Sequence, residues 1–137
     1  MNAYVDASVL LRVVFPEAGG LAGWERITRP ISSELIRVEC LRAIERARLT
    51  FRLEDEVLAP RRSAVLELLT GFDLVPISPA ILERAAEPFP TAIGTLDAIH
   101  LATALDVRAQ RDLSLVATHD QQLGTAATAV GFTVEGV

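Results

Sequence analysis

The sequence predicts an α/β fold built on a parallel sheet. Short apolar segments at residues 3–5, 72–77, 113–117 and 132–135 are predicted strands, and the segments between them carry apolar residues at helical spacing. Strands that alternate with helices pair in parallel through right-handed crossovers. Two of these strands are followed by an acid and then by a helix, and open α/β sheets bind their ligands at such strand ends.

Composition limits the functions open to the chain. Its 137 residues, half of them hydrophobic, suffice for one domain with a sizeable core, so we expect a single domain over residues 1–137. The net charge is −5 and all 13 basic residues are arginine, which excludes a Walker-type phosphate loop, a Schiff base and a catalytic lysine. The single Cys40 allows no intrachain disulfide. With no basic leader and no apolar run of the ~20 residues that a membrane span needs, we expect a soluble, cytoplasmic protein.

The first strand places Asp6 at its carboxyl end, ahead of a short helix over residues 8–15 that Pro16 ends. Asp6 is therefore a candidate site residue. An aspartate in front of a helix is also a common N-cap. The two roles can coexist, because one carboxylate oxygen can cap the helix while the other faces a ligand.

A helix predicted over residues 32–49 carries Glu39 beside its buried face. That face consists of Ile36, Cys40, Ala43, Ile44 and Ala47, with Ser32 or Ser33 as the expected cap. A carboxylate at the edge of such a face must be compensated, because its desolvation is costly. The compensation is either an ion pair with Arg42 or Arg46, or a role in a site.

Further helices are predicted over residues 21–27, 54–69, 80–87, 95–105 and 121–130. Pro60 is expected to kink or split the second of these. The helix over 95–105 is apolar or small on nearly every side, so it should be buried all round. Asp97 suits the dipole of its first turn but shares a stripe with buried residues, which favours a site role. His100 is predicted to be a hydrogen-bonded structural residue, since no other His or Cys stands at a ligand spacing.

The strand over residues 113–117 is followed by Thr118, His119 and Asp120, which repeats the order of strand, acid and helix. Asp120 has the same two interpretations as the first acid, a site residue or an N-cap. His119 is predicted to be a solvated loop residue. In a parallel sheet, Asp6 and Asp120 leave their strands at the same edge.

Converging carboxylates raise one another's pKa unless a cation compensates them. Oxygen ligands without Cys or paired His favour Mg²⁺ or Mn²⁺ over zinc. Such an ion polarises a phosphodiester and activates water. It would also supply the positive charge that an acidic chain lacks for phosphate binding, with Arg12, Arg37 or Arg42 as helpers.

Four motifs together resemble the PIN-domain family, and most closely the VapC-type toxins of bacterial toxin–antitoxin pairs. They are YVDAS at residues 4–8, SELIRVE at 33–39, LDAIHLA at 96–102 and THD at 118–120. The motifs occur in order and cover essentially the whole chain. The resemblance implies a five-stranded parallel sheet in a three-layer, Rossmann-like sandwich. It also implies a Mg²⁺-dependent endoribonuclease that cleaves single-stranded RNA, is inhibited by a cognate antitoxin and is usually a homodimer.

The resemblance also implies a role for each matching residue. Asp6 and Asp97 would be the principal metal ligands, and Asp120 would complete the site directly or through water. Glu39 would bind metal, or orient and deprotonate the attacking water. Ser8 and Thr118 would support these acids through hydrogen bonds. His119 departs from the pattern, because the family often has Arg or Lys before the last acid.

Two other functions stay open: a PIN-like module that binds without cleaving, and a housekeeping RNA-processing nuclease without an antitoxin. The four acids argue against the first. A phosphorelay receiver domain needs a lysine in its site, and a haloacid-dehalogenase-like phosphatase needs an aspartate where this chain has Ser8.

Overall fold

Strand β1 lies at the centre of a five-stranded sheet. The computed structural model describes residues 1–137. The strands are β1 Asn2–Val5, β2 Arg29–Ser33, β3 Asp73–Val75, β4 Leu115–Ala117 and β5 Thr133–Glu135. Their order is β3-β2-β1-β4-β5, and all four pairings are parallel. The predicted α/β fold with about five parallel strands is confirmed. The chain adds β2 and β3 on one side of β1 and then β4 and β5 on the other side. The point where the strand order reverses therefore lies at the carboxyl end of β1.

Six helices flank this sheet: α1 Ala7–Val14, α2 Leu35–Phe51, α3 Asp55–Leu69, α4 Pro79–Ala86, α5 Thr95–Gln110 and α6 Gln121–Ala129. The alternation of side chains along β1 divides the core between the two faces. Tyr4 packs with Leu101 of α5 and Leu123 of α6. Its neighbour Val5 packs with Val9 of α1 on the opposite face. None of these helices is long and apolar enough to cross a lipid bilayer.

Strand β2 was not predicted, and the helix predicted from residue 32 begins at Leu35 instead. The segment contains one strongly apolar residue, two serines and Pro30, which is rare in central strands because it cannot donate to the ladder. Pro30 stands near the start of the strand, opposite Ala3. Ser32 and Ser33 are fully buried in the sheet. Both serines therefore belong to an inner strand, and Ser33 Oγ also accepts from the backbone N–H of Leu35, the first residue of α2, at 3.2 Å, as expected of a capping residue.

One further helix prediction was wrong, and Pro60 does not split its helix. Residues 21–27 contain only a 3-10 turn at Trp24–Arg26. Helix α3 runs through Pro60 without a break. The hydrogen bond that Pro60 cannot donate would reach Glu56, in the first turn, so the rest of the helix keeps its hydrogen bonds.

Candidate active site

The carboxyl ends of β1 and β4 meet side by side, as predicted. Val5 is in register with Ala117, and the backbone N–H of Asp6 donates to the carbonyl oxygen of Ala117 at 3.3 Å. The two segments that follow these strands, Asp6 to Ser8 and Thr118 to Asp120, therefore lie against each other.

A cavity of about 570 Å³ opens at this edge of the sheet, and all four predicted acids line it. Asp6 follows β1, Glu39 lies on α2, Asp97 is in the first turn of α5 and Asp120 precedes α6. None of them forms an ion pair with an arginine. The alternative that Glu39 pairs with a helix arginine is therefore wrong. Four distant segments bring carboxylates to one cavity, and their catalytic role stays a prediction.

Asp6 is held by the hydroxyl group of Ser8. The Oγ of Ser8 donates to Oδ1 of Asp6 at 2.5 Å and accepts from the backbone N–H of His119 at 2.8 Å. Thr118 Oγ1 lies 3.4 Å from the same Oγ. Asp6 occupies the N-cap position of α1, as expected, but its side chain makes no capping hydrogen bond. Burial raises the pKa of this carboxyl, and the Ser8 hydrogen bond opposes that effect.

Asp120, by contrast, does cap its helix. Its Oδ1 accepts from the backbone N–H groups of Gln122 at 2.8 Å and Leu123 at 3.0 Å. The N–H of Asp120 donates to Thr118 Oγ1 at 2.9 Å. Because the cap uses only Oδ1, the second oxygen of Asp120 keeps no protein partner and is free for a ligand.

His119 is not the solvated loop residue that was predicted. Its Nδ1 lies 2.8 Å from the carbonyl oxygen of Gly136, and its Nε2 is buried without a partner. Gly136 has φ 110°, and a Cβ there would lie 2.3 Å from the carbonyl oxygen of Thr118. The residues after β5 thus pack closely on the segment that carries Thr118, and only glycine fits this approach.

His100 is a buried, hydrogen-bonded residue, as predicted, and its partners are the side chains of Tyr4 and Glu39. It is 1% exposed. Its Nδ1 lies 2.7 Å from Tyr4 Oη, and its Nε2 lies 2.5 Å from Oε1 of Glu39. Sequence reasoning missed Tyr4 and the link to Glu39, because no local spacing relates residues so far apart along the chain.

The acids in the cavity act on one another. Burial and then the charge of Asp120 raise the pKa of half-buried Asp97 to about 6. Asp6, Glu39 and Asp120 each keep one oxygen, and Asp97 keeps both, without a hydrogen bond inside the protein. This oxygen-only donor set suits a hard divalent cation. No three His, Cys, Asp or Glu side chains lie close enough together to share one ion, so binding would require side-chain rotation.

The raised pKa of Asp97 predicts how the stability of the metal-free protein depends on pH. In the unfolded chain Asp97 loses its proton near its ordinary pKa of 3.8, whereas in the folded protein it keeps the proton to about 6. The free energy of unfolding should therefore fall as the pH rises through this window. Asp97→Asn should flatten that decline, measured by urea unfolding with chelator present. Exposed Asp112→Asn is the control, and identical pH dependences in wild type and Asp97→Asn would contradict the prediction.

Comparison with known proteins finds one matching family model and relatives that align over nearly the whole chain. A family model described as PIN domain matches residues 3–128. The chain is 34% identical over 134 residues to Ribonuclease VapC46 of Mycobacterium tuberculosis (strain ATCC 25618 / H37Rv), covering 96% of this chain and 94% of that protein. It is 32% identical over 137 residues to Ribonuclease VapC35 of the same strain, covering 96% and 93%.

Solved structures share the fold. PAE2754 from Pyrobaculum aerophilum matches with a TM-score of 0.67 at 17% identity, over 99% of this chain and 84% of that one. Mycobacterium tuberculosis VapC20, described as a Sarcin-Ricin loop cleaving toxin, gives 0.64 at 16% identity, over 98% of both chains. A toxin–antitoxin complex from Klebsiella pneumoniae gives 0.57 at 19% identity, over 88% of both chains.

Proposed function

The chain belongs to the PIN domain family, and from this we propose that it is a metal-dependent endoribonuclease and the toxin of a toxin–antitoxin pair. The observation that carries the proposal is the cavity lined by four carboxylates, none of which forms an ion pair with an arginine. The relatives named as VapC ribonucleases support cleavage of RNA. The toxin–antitoxin complex with the same fold supports an inhibitory protein partner.

The chemistry follows from what the side chains can hold. Asp6, Asp97 and Asp120 would bind Mg²⁺ or Mn²⁺ through the oxygens that have no protein partner. The ion would polarise a phosphodiester and lower the pKa of a water molecule. Glu39, with Oε2 free at the cavity, would orient that water or accept its proton. Ser8 and Thr118 would keep the Asp6 carboxylate in one orientation.

The direct test is cleavage of single-stranded RNA by the purified protein, with Mg²⁺ or Mn²⁺ present or removed by chelation. Mapping of RNA 5′ ends after induced expression would locate the cut. RNA that is bound but stays intact would favour the non-catalytic binding module. Cleavage by a protein that no neighbouring gene product inhibits would favour the housekeeping nuclease. Light scattering tests the homodimer that we also propose.

Two arginines at the cavity are candidates for holding the RNA backbone. Arg42 and Arg46 lie one turn apart on α2, line the cavity and form no ion pair. We expect Arg42→Gln and Arg46→Gln to weaken RNA binding, and each to lower the salt dependence of the affinity by about 0.7 in log–log slope, since each removes one phosphate contact. Binding would be measured by anisotropy in an Asp6→Asn background that does not cleave.

The matched control for these variants is Arg62→Gln, because Arg62 is exposed on α3 and lies outside the cavity. Its affinity for RNA and its salt slope should equal those of the parent. If all three substitutions weaken binding equally, the effect belongs to net charge and the arginines of the cavity have no special role.

A further inference from the structure

A buried chain of hydrogen bonds connects the sheet to Glu39. Tyr4 lies on β1, His100 on α5 and Glu39 on α2. The first pair is separated by 96 positions in the sequence and the second pair by 61. Tyr4 and His100 are each 1% exposed. The mechanism above uses Glu39 but assigns nothing to Tyr4 or His100.

The Tyr4 hydroxyl group lies at the inner end of this chain and can supply its first proton. The backbone N–H of Ser33 donates to Tyr4 Oη at 3.1 Å, so the phenol proton is free to point to a second partner. Burial raises the pKa of Tyr4, so the phenol keeps its proton. His100 Nδ1 lies 2.7 Å from Tyr4 Oη and is placed to accept that proton.

The tautomer of His100 follows from this arrangement. With Nδ1 as acceptor, the neutral imidazole carries its proton on Nε2. That N–H faces Oε1 of Glu39 at 2.5 Å and donates to it. A hydrogen bond to a carboxylate is stronger than one between neutral groups. It immobilises a long side chain that would otherwise sample several rotamers.

We propose that His100 is a positioning residue for Glu39: its Nε2–H holds Oε1 and leaves Oε2 turned to the cavity, where the attacking water would be oriented. Tyr4 acts one step behind, by keeping Nδ1 an acceptor. The effect of His100 on catalysis rests on the proposed function, because it requires that the protein cleaves RNA. The direction of the hydrogen bonds does not depend on that function.

The kinetic test compares His100→Leu, which removes the donor at similar volume, with His100→Gln, which retains an amide N–H. We expect His100→Leu to slow single-turnover cleavage of RNA by about 10- to 100-fold, as loss of a group that orients an active-site ligand does. RNA affinity should be unchanged, and His100→Gln should recover most of the rate. In a Glu39→Gln background, His100→Leu should cause no further loss, because the two residues act as a unit.

A second readout needs no activity. The protein has two histidines, so ¹⁵N NMR of the metal-free protein, assigned with His119→Gln, reports the tautomer of His100 directly. We expect protonated Nε2 and unprotonated Nδ1 in the wild type. Glu39→Gln should shift the Nε2 signal, and Tyr4→Phe should disturb Nδ1.

Distinct outcomes overturn the two proposals. If the wild type cleaves RNA and His100→Leu is equally fast, or slows by the same factor in the Glu39→Gln background, His100 does not position Glu39. A proton on Nδ1 with none on Nε2 would likewise show that His100 does not donate to Glu39. If the wild type cleaves no RNA, the proposed function fails, while the NMR experiment still decides the hydrogen-bonded chain. Should His100→Leu not fold, His100→Asn replaces it, since its amide is too short to reach Glu39.

Discussion

Replacing Asp6 by asparagine is expected to lower the rate of RNA cleavage by about 10³-fold or more, the order expected when a group essential to acid–base or metal chemistry is removed. Asp6 is 6% exposed, the most deeply buried acid of the cavity, and stands where the strand order reverses. Asparagine keeps the shape and an acceptor for Ser8, but it removes the negative charge that would hold a cation.

The fold should survive this substitution. Burial raises the pKa of the Asp6 carboxyl, so at neutral pH the charged form weakens the folded state, and asparagine removes that cost. The free energy of unfolding, measured with urea and chelator, should therefore be equal to or greater than that of the wild type. Asp112→Asn, an exposed acid far from the cavity, is the control for cleavage. Full cleavage by Asp6→Asn freed of contaminating nucleases would refute the assignment.

Addition of Mg²⁺ or Mn²⁺ is expected to stabilise the wild type by about 2.7 kcal/mol when the ion is at about 100 times its dissociation constant. The physical reason is that the ion relieves the mutual repulsion that, with burial, raises the pKa of Asp97. The measurement is the shift in melting temperature on adding the ion to protein prepared with chelator.

Asp97→Asn removes one of the proposed ligands, so its melting temperature should rise less with the same ion. Asp112→Asn should respond like the wild type, and NaCl at equal ionic strength controls for screening. Equal shifts in the wild type and Asp97→Asn would show that the ion, if bound, does not use the cavity.

The meeting of Asp6 and Asp120 at one edge of the sheet could be predicted, because the residues on either side of each acid show that it ends a strand. Each acid follows an apolar strand and precedes a helix, and parallel strands present their carboxyl ends together. The same pattern could not predict which acid caps its helix. Two residues after Asp6 stands Ser8, whose hydroxyl donates to Asp6 Oδ1. Gln122 offers Asp120 its backbone N–H instead.

Strand β2 and the partner of Glu39 could not be predicted, for a different reason. Ser32 and Ser33 are polar residues that are fully buried in an inner strand of the sheet, and tertiary burial of this kind leaves no periodic pattern in the sequence. The sequence offered Arg42 or Arg46 as a partner for Glu39, and it named no hydrogen-bond partner for His100. That Glu39 and His100 compensate each other follows only from the packing of α2 and α5 beside the sheet.

The place of β4 between β1 and β5 has a consequence for biosynthesis. Asp120 is translated after the other three acids, and it reaches them only when β4 pairs with β1. A ribosome-bound nascent chain that ends before this strand contains Asp6, Glu39 and Asp97 but lacks Asp120, the fourth acid of the cavity. For the ribonuclease proposed above, we therefore expect RNA cleavage only after about the last sixth of the chain, from β4 onward, has left the ribosome and folded.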